Sequence, residues 1–203
     1  MKRHFLTLMA CITLMTGIFT ATAFAQDPVR IRGDIMEIGD HSLTVKSNEG
    51  IDVTFVLADD SPVTGIVAAS LEDVNEGVFV GITAVPGEGG VLTALEVHIF
   101  PEAMRGAGEG HYPWDLVPES TMTNANIESA VSSVDGRTLH LTHKDGEQTI
   151  LVPEDASIVR LMPADQSWLK PGTGVFIVAR PGEGDAWVPL RIAAGKDGVK
   201  PPM

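Results

Sequence analysis

The side chains best equipped for chemistry crowd into one stretch near the middle of the chain, 101–124, and its flank. His98, Met104, Glu109, His111, Asp115 and Met122 bring imidazole, carboxylate and thioether groups within a short span. Such donors can hold copper or zinc, with His98, His111, Met104 and Met122 the ligands of choice. Their spacing matches no defined ligand motif, so a second expectation stands beside the first. His111, Tyr112 and Trp114 can instead pack the stretch onto neighbouring strands, with rings covering apolar surface and polar ends hydrogen bonded. With Asp115 and Arg105, these three residues make the candidate set for binding a small ligand or a partner.

Other chemistry has weaker support. Gly106-Ala-Gly-Glu-Gly110 has the glycines of an anion-cradling loop but lacks the Lys-Ser/Thr of a phosphate loop, and reads as a flexible connector. His140 and His143, three apart on a strand, point to opposite faces and do not chelate one ion. His41 falls in a turn. No Gly-x-Ser-x-Gly elbow, Ser-x-x-Lys or His-Glu-x-x-His is present. Glu102, Glu109, Asp115 and Glu119 leave a carboxylate hydrolase as a third possibility.

Composition narrows the classes further. Lys2 and Arg3, an apolar run over 5–19, and Ala23 and Ala25 before Gln26 read as an export signal over 1–25, cleaved near Ala25, which places the protein in the periplasm or outside the cell. The run is shorter than the ~20 apolar residues of a spanning helix, and it continues past Cys11, unlike a lipid-attachment box. Cys11 is the only cysteine, so the exported part has no disulfide, thiolate ligand or cysteine nucleophile. Removing Lys2 and Arg3 from 14 basic residues leaves 12 against 27 acidic ones, a formal charge of −15 that repels phosphate backbones and argues against nucleic acid. No later segment is apolar and long enough for a transmembrane helix.

The elements that must position these residues are strands. From Val29 onward, short alternating runs are broken by Gly, Asp and Asn, predicting strands over 29–38, 42–46, 51–57, 78–85 and 91–99, with an irregular crossover or short helix in 58–75. The plan then recurs. Ser42-Leu-Thr-Val lies over Thr138-Leu-His-Leu, Gly50 over Gly146, Val78-Phe-Val over Val175-Phe-Ile, and Pro86-Gly-Glu-Gly over the identical Pro181-Gly-Glu-Gly. This predicts an all-β protein of two tandem five-stranded OB-like barrels, over 28–100 and 125–195. The stretch 101–124 becomes a Gly/aromatic linker or clasp between them, and 196–203 a loose tail. Ile31, Ile35, Leu43, Val45, Val53, Phe55, Leu57, Val78, Val80, Ile82, Leu95 and Val97 are expected to fill the first core. Leu139, Leu141, Ile150, Val152, Val175, Ile177, Leu190 and Ile192 are expected to fill the second. A sandwich built by both units together is the structural alternative.

The repeated unit, with its tight Gly turns and an irregular segment ending in Gly before the fourth strand, resembles exported bacterial OB-like modules grouped as a domain of unknown function. Arg105-Gly, Gly108-Glu-Gly-His-Tyr-Pro-Trp-Asp-Leu116, Met122-Thr-Asn-Ala125, Gly195-Lys-Asp-Gly198 and Pro201-Pro-Met203 resemble a subgroup labelled as a metal ABC-transporter component. Without spanning helices, that resemblance implies an accessory and no permease, and it carries no catalytic residue. The expectation is a non-enzymatic exported module without a cofactor, binding a periplasmic protein or small ligand in the cleft between the barrels and the linker. A copper- or zinc-handling accessory is the alternative.

Overall fold

The computed structural model describes residues 27–133, 136–184 and 186–203. The expected export signal over 1–25 lies outside them. The described residues form an all-β protein whose only helical elements are short 3-10 turns, and no helix is long and apolar enough to cross a membrane. In chain order the strands are β1 (Val29–Gly39), β2 (Ser42–Ser47), β3 (Asp52–Val56), β4 (Val63–Ala68), β5 (Phe79–Pro86), β6 (Leu92–Ile99) and β7 (Gly110–Pro113). They continue with β8 (Thr121–Ser133), β9 (Gly136–His143), β10 (Gly146–Val152), β11 (Ser157–Ala164), β12 (Gly174–Pro181) and β13 (Trp187–Gly195).

All belong to one sheet with the path β10-β9-β8-β5-β6-β11-β4-β13-β12-β1-β2-β3, and β7 is added on β8. At one end β10 meets β6 in parallel, through Ile150↔Leu92 and Leu151↔Thr93, and closes a five-stranded barrel. Closure removes two open edges and their unpaired backbone groups. At the other end the path also turns back, β13 meeting β3 at a single parallel bridge, Trp187↔Phe55.

Pairing does not follow the expected boundaries at 28–100 and 125–195. β1 to β3 are completed by β12 and β13, while β5 and β6 are completed by β8, β9 and β10. β1 pairs with β12 from Val29↔Ala179 to Asp34↔Gly174, and β5 pairs with β8 from Phe79↔Asn126 to Ala84↔Thr121. The chain crosses from one end to the other along β4 and returns along β11. These two crossings bond antiparallel to each other, from Val159↔Ala68 to Ala164↔Val63. Consecutive, separate barrels are therefore corrected to strand groups that interleave the halves of the chain. The crossover expected to be irregular over 58–75 contains β4, with a 3-10 turn at Leu71–Asp73. Gly65 and Ile66 are buried side by side in β4, which obscures the period of two.

The apolar faces are those the alternation predicts, but they meet different partners. Ile35, Leu43, Val45, Phe55 and Leu57 pack with Val175, Ile177 and Ile192. Val80, Ile82 and Val97 pack with Leu139, Leu141, Ile150 and Val152. A third cluster, Ile66, Val159, Leu161, Phe176, Ala193 and Met203, lies along the crossing strands. Leu95 and Leu190, both expected in a core, are half-buried and 45% exposed, while Ala94 and Pro189 next to them are buried. β-bulges at Thr83/Ala84 and Val178/Ala179 shift the register of β5 against β6 and of β12 against β13 there, which resets the face each residue presents.

The expected loose tail is packed. Met203 is buried, Lys200 pairs with Asp34 at 2.7 Å, and Arg32 Nε donates to the Met203 carbonyl. Gly195 permits this return, because a Cβ there would stand 1.7 Å from the Val199 carbonyl oxygen. The stretch 101–124 is likewise no free linker: β7 forms a hairpin with the start of β8, and 121–124 sits between β5 and β7.

Interleaving has a direct consequence for dissection. Residues 27–100 expressed alone lack the partners of β1, β3, β5 and β6, and should give a poorly dispersed amide NMR spectrum. Co-expression with 101–203 should restore dispersion, whereas a folded 27–100 fragment would contradict the pairing.

Candidate functional site

The residues of β5, β6 and β8 that face away from the closed barrel's interior are unusual. Alternation sends Ile82, Val97, Ile99, Ala125 and Ile127 inward. The opposite face carries Gly81 and Thr83, Glu96 and His98, and Met122 and Asn124, with Gly81 opposite both His98 and Asn124 and Thr83 opposite both Glu96 and Met122. On a simple barrel this face would be wet. Here Thr83 and Glu96 are fully buried, and Met122, His98 and Asn124 are at most 6% exposed.

A cavity of about 390 Å³ opens beside this face. One wall is His98, Phe100, Met104, Tyr112, Trp114, Met122 and Asn124, and the opposite wall is Arg30, Phe176, Val178, Leu190, Arg191 and Ala193. Ala107 and Gly108, with Thr64 and Leu161 of the crossing strands and Met203 of the tail, complete it. Gly81 is required by the packing beneath, since a Cβ would fall 2.0 Å from His98 Nε2 and 2.5 Å from Asn124 Oδ1.

Hydrogen bonds fix the polar groups. Asn124 Nδ2 donates at 3.2 Å to the carbonyls of Ala107 and Gly108 and to the Tyr112 hydroxyl oxygen. Two carbonyl acceptors settle the amide orientation and leave Oδ1 facing elsewhere. Thr83 Oγ1 donates to Glu96 Oε1 at 2.7 Å, and His98 Nδ1 lies 3.4 Å from that oxygen without hydrogen-bond alignment. Glu96 Oε2, His98 Nδ1, Asn124 Oδ1 and Trp114 Nε1 are buried with no hydrogen-bond partner among the described residues. Each such group costs about 1–3 kcal/mol. Burial pushes the Tyr112 hydroxyl pKa up, against the nearby Arg191 and Arg30 charges.

Asp115 organises the mouth. It accepts from Arg32 Nη2 at 2.8 Å and from Arg30 Nη1 at 3.4 Å. The guanidinium of Arg30 then lies 4.2 Å above the Trp114 ring, and that of Arg32 lies 5.0 Å above Phe176. Partial burial works to raise the Asp115 pKa, but Arg32, then Arg30, hold it below the usual carboxylate range.

The candidate residues thus divide. Tyr112 and Trp114 line the cavity, Asp115 positions Arg30 at its rim, and His98, Met104 and Met122 also line it. His111 does not. Neighbours on a strand face opposite ways, so His111 turns from Tyr112 to put Nδ1 2.8 Å from Thr123 Oγ1, its ring 6.4 Å from that of His143. Burial, then His143, pushes its pKa down. The proposed four-residue metal set is therefore not brought together, and the described residues contain no cluster of three His, Cys, Asp or Glu side chains able to hold a metal. Arg105 is bound to Glu102 at 2.7 and 2.6 Å, to the Gly77 carbonyl at 3.0 Å and to Asn126, away from the cavity. None of Glu102, Glu109, Asp115 and Glu119 lines the cavity.

His140 is exposed and His143 buried, as opposite faces require. Sequence reasoning missed Asn124, although it ends the 101–124 stretch, and Phe176, Arg191 and Leu161, whose strands are distant in the chain from it. The one available signal was Asn124, a polar side chain inside the chemistry-bearing stretch. No family model, curated protein or solved structure matches the chain.

Two outcomes test this geometry. Gly81→Ala should lower stability by about 1–3 kcal/mol in urea denaturation, because the methyl has no room. Asp115, with its folded pKa below the unfolded value of about 3.9, contributes stability above that value that is lost as pH falls through the folded pKa. Asp115→Asn should therefore flatten the acid limb of the melting-temperature profile below about pH 5.

Proposed function

We propose that this is an exported, non-enzymatic binding protein that captures a small ligand in the cavity between its two interleaved strand groups. The observation carrying this reading is the cavity itself. Its volume falls in the ~300–1,000 Å³ range of ligand sites, its walls are aromatic and aliphatic, and buried polar atoms without partners stand in or against them. The export signal read over 1–25 supports the location. Bulges recur in β1 against β2 and in β8 against β9, and again in the β5–β6 and β12–β13 pairs. These matches support descent from a duplicated OB-like unit whose copies exchanged strands, the interface between them becoming the site.

The methionines give a direct readout. With 13C-methyl methionine, a fragment library should contain ligands that shift Met104, Met122 and Met203 together while leaving the half-exposed Met36 unmoved. Trp114→Ala should abolish those shifts in a protein that remains folded. A library that moves none of the three methyls would contradict the binding function.

One observation favours a second reading, a copper-handling accessory. His98, Met104 and Met122 line the same cavity, and imidazole with two thioethers suits Cu(I). Under anaerobic titration against a Cu(I) chelator, stoichiometric uptake lost on Met122→Leu would favour this reading, and no uptake would exclude it.

A further inference from the structure

Charge at the cavity is unbalanced, and the imbalance points to a class of ligand. The chain carries 27 acidic against 14 basic residues, yet among the described residues no Asp or Glu lines the cavity, whereas Arg30 and Arg191 both do. Strand register places them. Arg30 of β1 stands opposite Val178 of β12, and Val178 stands opposite Arg191 of β13, so the two arginines rise from one face of the sheet with a single valine between them. Their backbones are two strand spacings apart, about 10 Å, a gap that two long side chains can share with one small group. Asp115 does not balance them. Its single carboxylate serves Arg32 at 2.8 Å and Arg30 at 3.4 Å, the shorter contact going to the arginine outside the cavity, and Arg191 has no carboxylate partner among the described residues. A cleft lined by one sign of charge concentrates ions of the other sign.

The Tyr112 hydroxyl belongs to the same corner. Burial raises its pKa and the Arg191 and Arg30 charges oppose that rise, so both guanidiniums act on this group. Its oxygen accepts from Asn124 Nδ2 at 3.2 Å, which leaves its proton to donate. Deeper in, the wall offers a ligand no charge. His98 lines it, but its Nδ1 is buried and lies 3.4 Å from Glu96 Oε1, so that nitrogen faces the carboxylate behind the wall. Its Nε2 and Cε1 lie over Gly81, where a Cβ would stand 2.0 and 2.3 Å from them, and its ring meets that of Phe100 edge-on at 4.9 Å. Asn124 Oδ1 is buried over the same glycine. His98 thus pairs with Glu96 behind the surface and gives the cavity a ring. The rest of the interior is Phe100, Met104, Met122, Leu161, Phe176 and Met203. An ammonium group would meet two arginines at the mouth and no carboxylate inside, whereas one further carboxylate beside Asp115 gives Arg30 and Arg191 a shared partner.

We infer that the cavity binds an apolar monocarboxylic acid, its carboxylate between Arg191 and Arg30 beside the Tyr112 hydroxyl and its hydrocarbon body running inward to Phe100, Phe176 and Leu161. This rests on the binding function proposed above and adds the ligand's charge and direction.

Calorimetric titration of the chain from Gln26 onward with octanoate and 3-phenylpropionate tests it, with octan-1-ol, octylamine, 3-phenylpropan-1-ol and 3-phenylpropylamine as partners of matched shape. At least one acid should bind, at least about tenfold more tightly than its alcohol and its amine, the effect of one charge-assisted contact. The tighter acid identifies a fatty-acyl or an aryl source. Arg191 is exposed, so Arg191→Ala leaves the core intact, and it should weaken acid binding about tenfold while leaving the alcohol unchanged. An alcohol or amine that binds as tightly as its acid, or acid binding untouched by Arg191→Ala, would overturn the inference. Methionine-methyl shifts with other fragments, but no heat from either acid, would overturn this inference alone. A silent fragment library would remove the binding function with it.

Discussion

The ladder between β5 and β8, with its counterpart between β1 and β12, is the constraint on which the rest depends. Each joins strands from different halves of the chain, so neither half can satisfy its backbone groups alone. β4 and β11 must run between the strand groups, and their pairing with each other gives the crossings their own hydrogen bonds. Without this exchange, the outer face of β5, β6 and β8 would lie in water. With it, that face looks onto β12 and β13.

The site follows from that arrangement. Glu96, His98 and Asn124 would be unremarkable on a solvated barrel surface, and they become costly once the second strand group covers them. Part of the cost is offset by Thr83 and by the Asn124 contacts to the Ala107 and Gly108 carbonyls. The remainder stays as unpaired atoms among the described residues, of which His98 Nδ1 and Asn124 Oδ1 belong to side chains that line the cavity. Asp115 restrains two arginines at the mouth, and Arg191 adds a further positive charge to the cavity that Arg30 also lines.

Much of the local structure was legible in the residues. Period-two alternation located β1, β2, β3, β5 and β6 and named most of the inward side chains, because a half-buried strand exposes every second residue. Leu95 and Leu190 escaped it, since a bulge is a register event between two strands and leaves no mark in either one. β4 escaped because Gly65 and Ile66 are buried together. For the site, Tyr112 and Trp114 were recognisable by type and position, whereas His111 was lost to the alternation of β7, a strand the glycine-rich composition had concealed.

By itself the sequence determined that the chain is built of strands, which faces are apolar, and that chemistry gathers near 101–124. Those properties are local, set by side-chain period and turn residues. Only the tertiary structure decided which strands complete one another, that the tail packs, and that Arg191 and Asn124 share a cavity with Trp114. Alternation specifies that a strand needs a partner without specifying which one, and partner choice depends on burial summed across both halves of the chain.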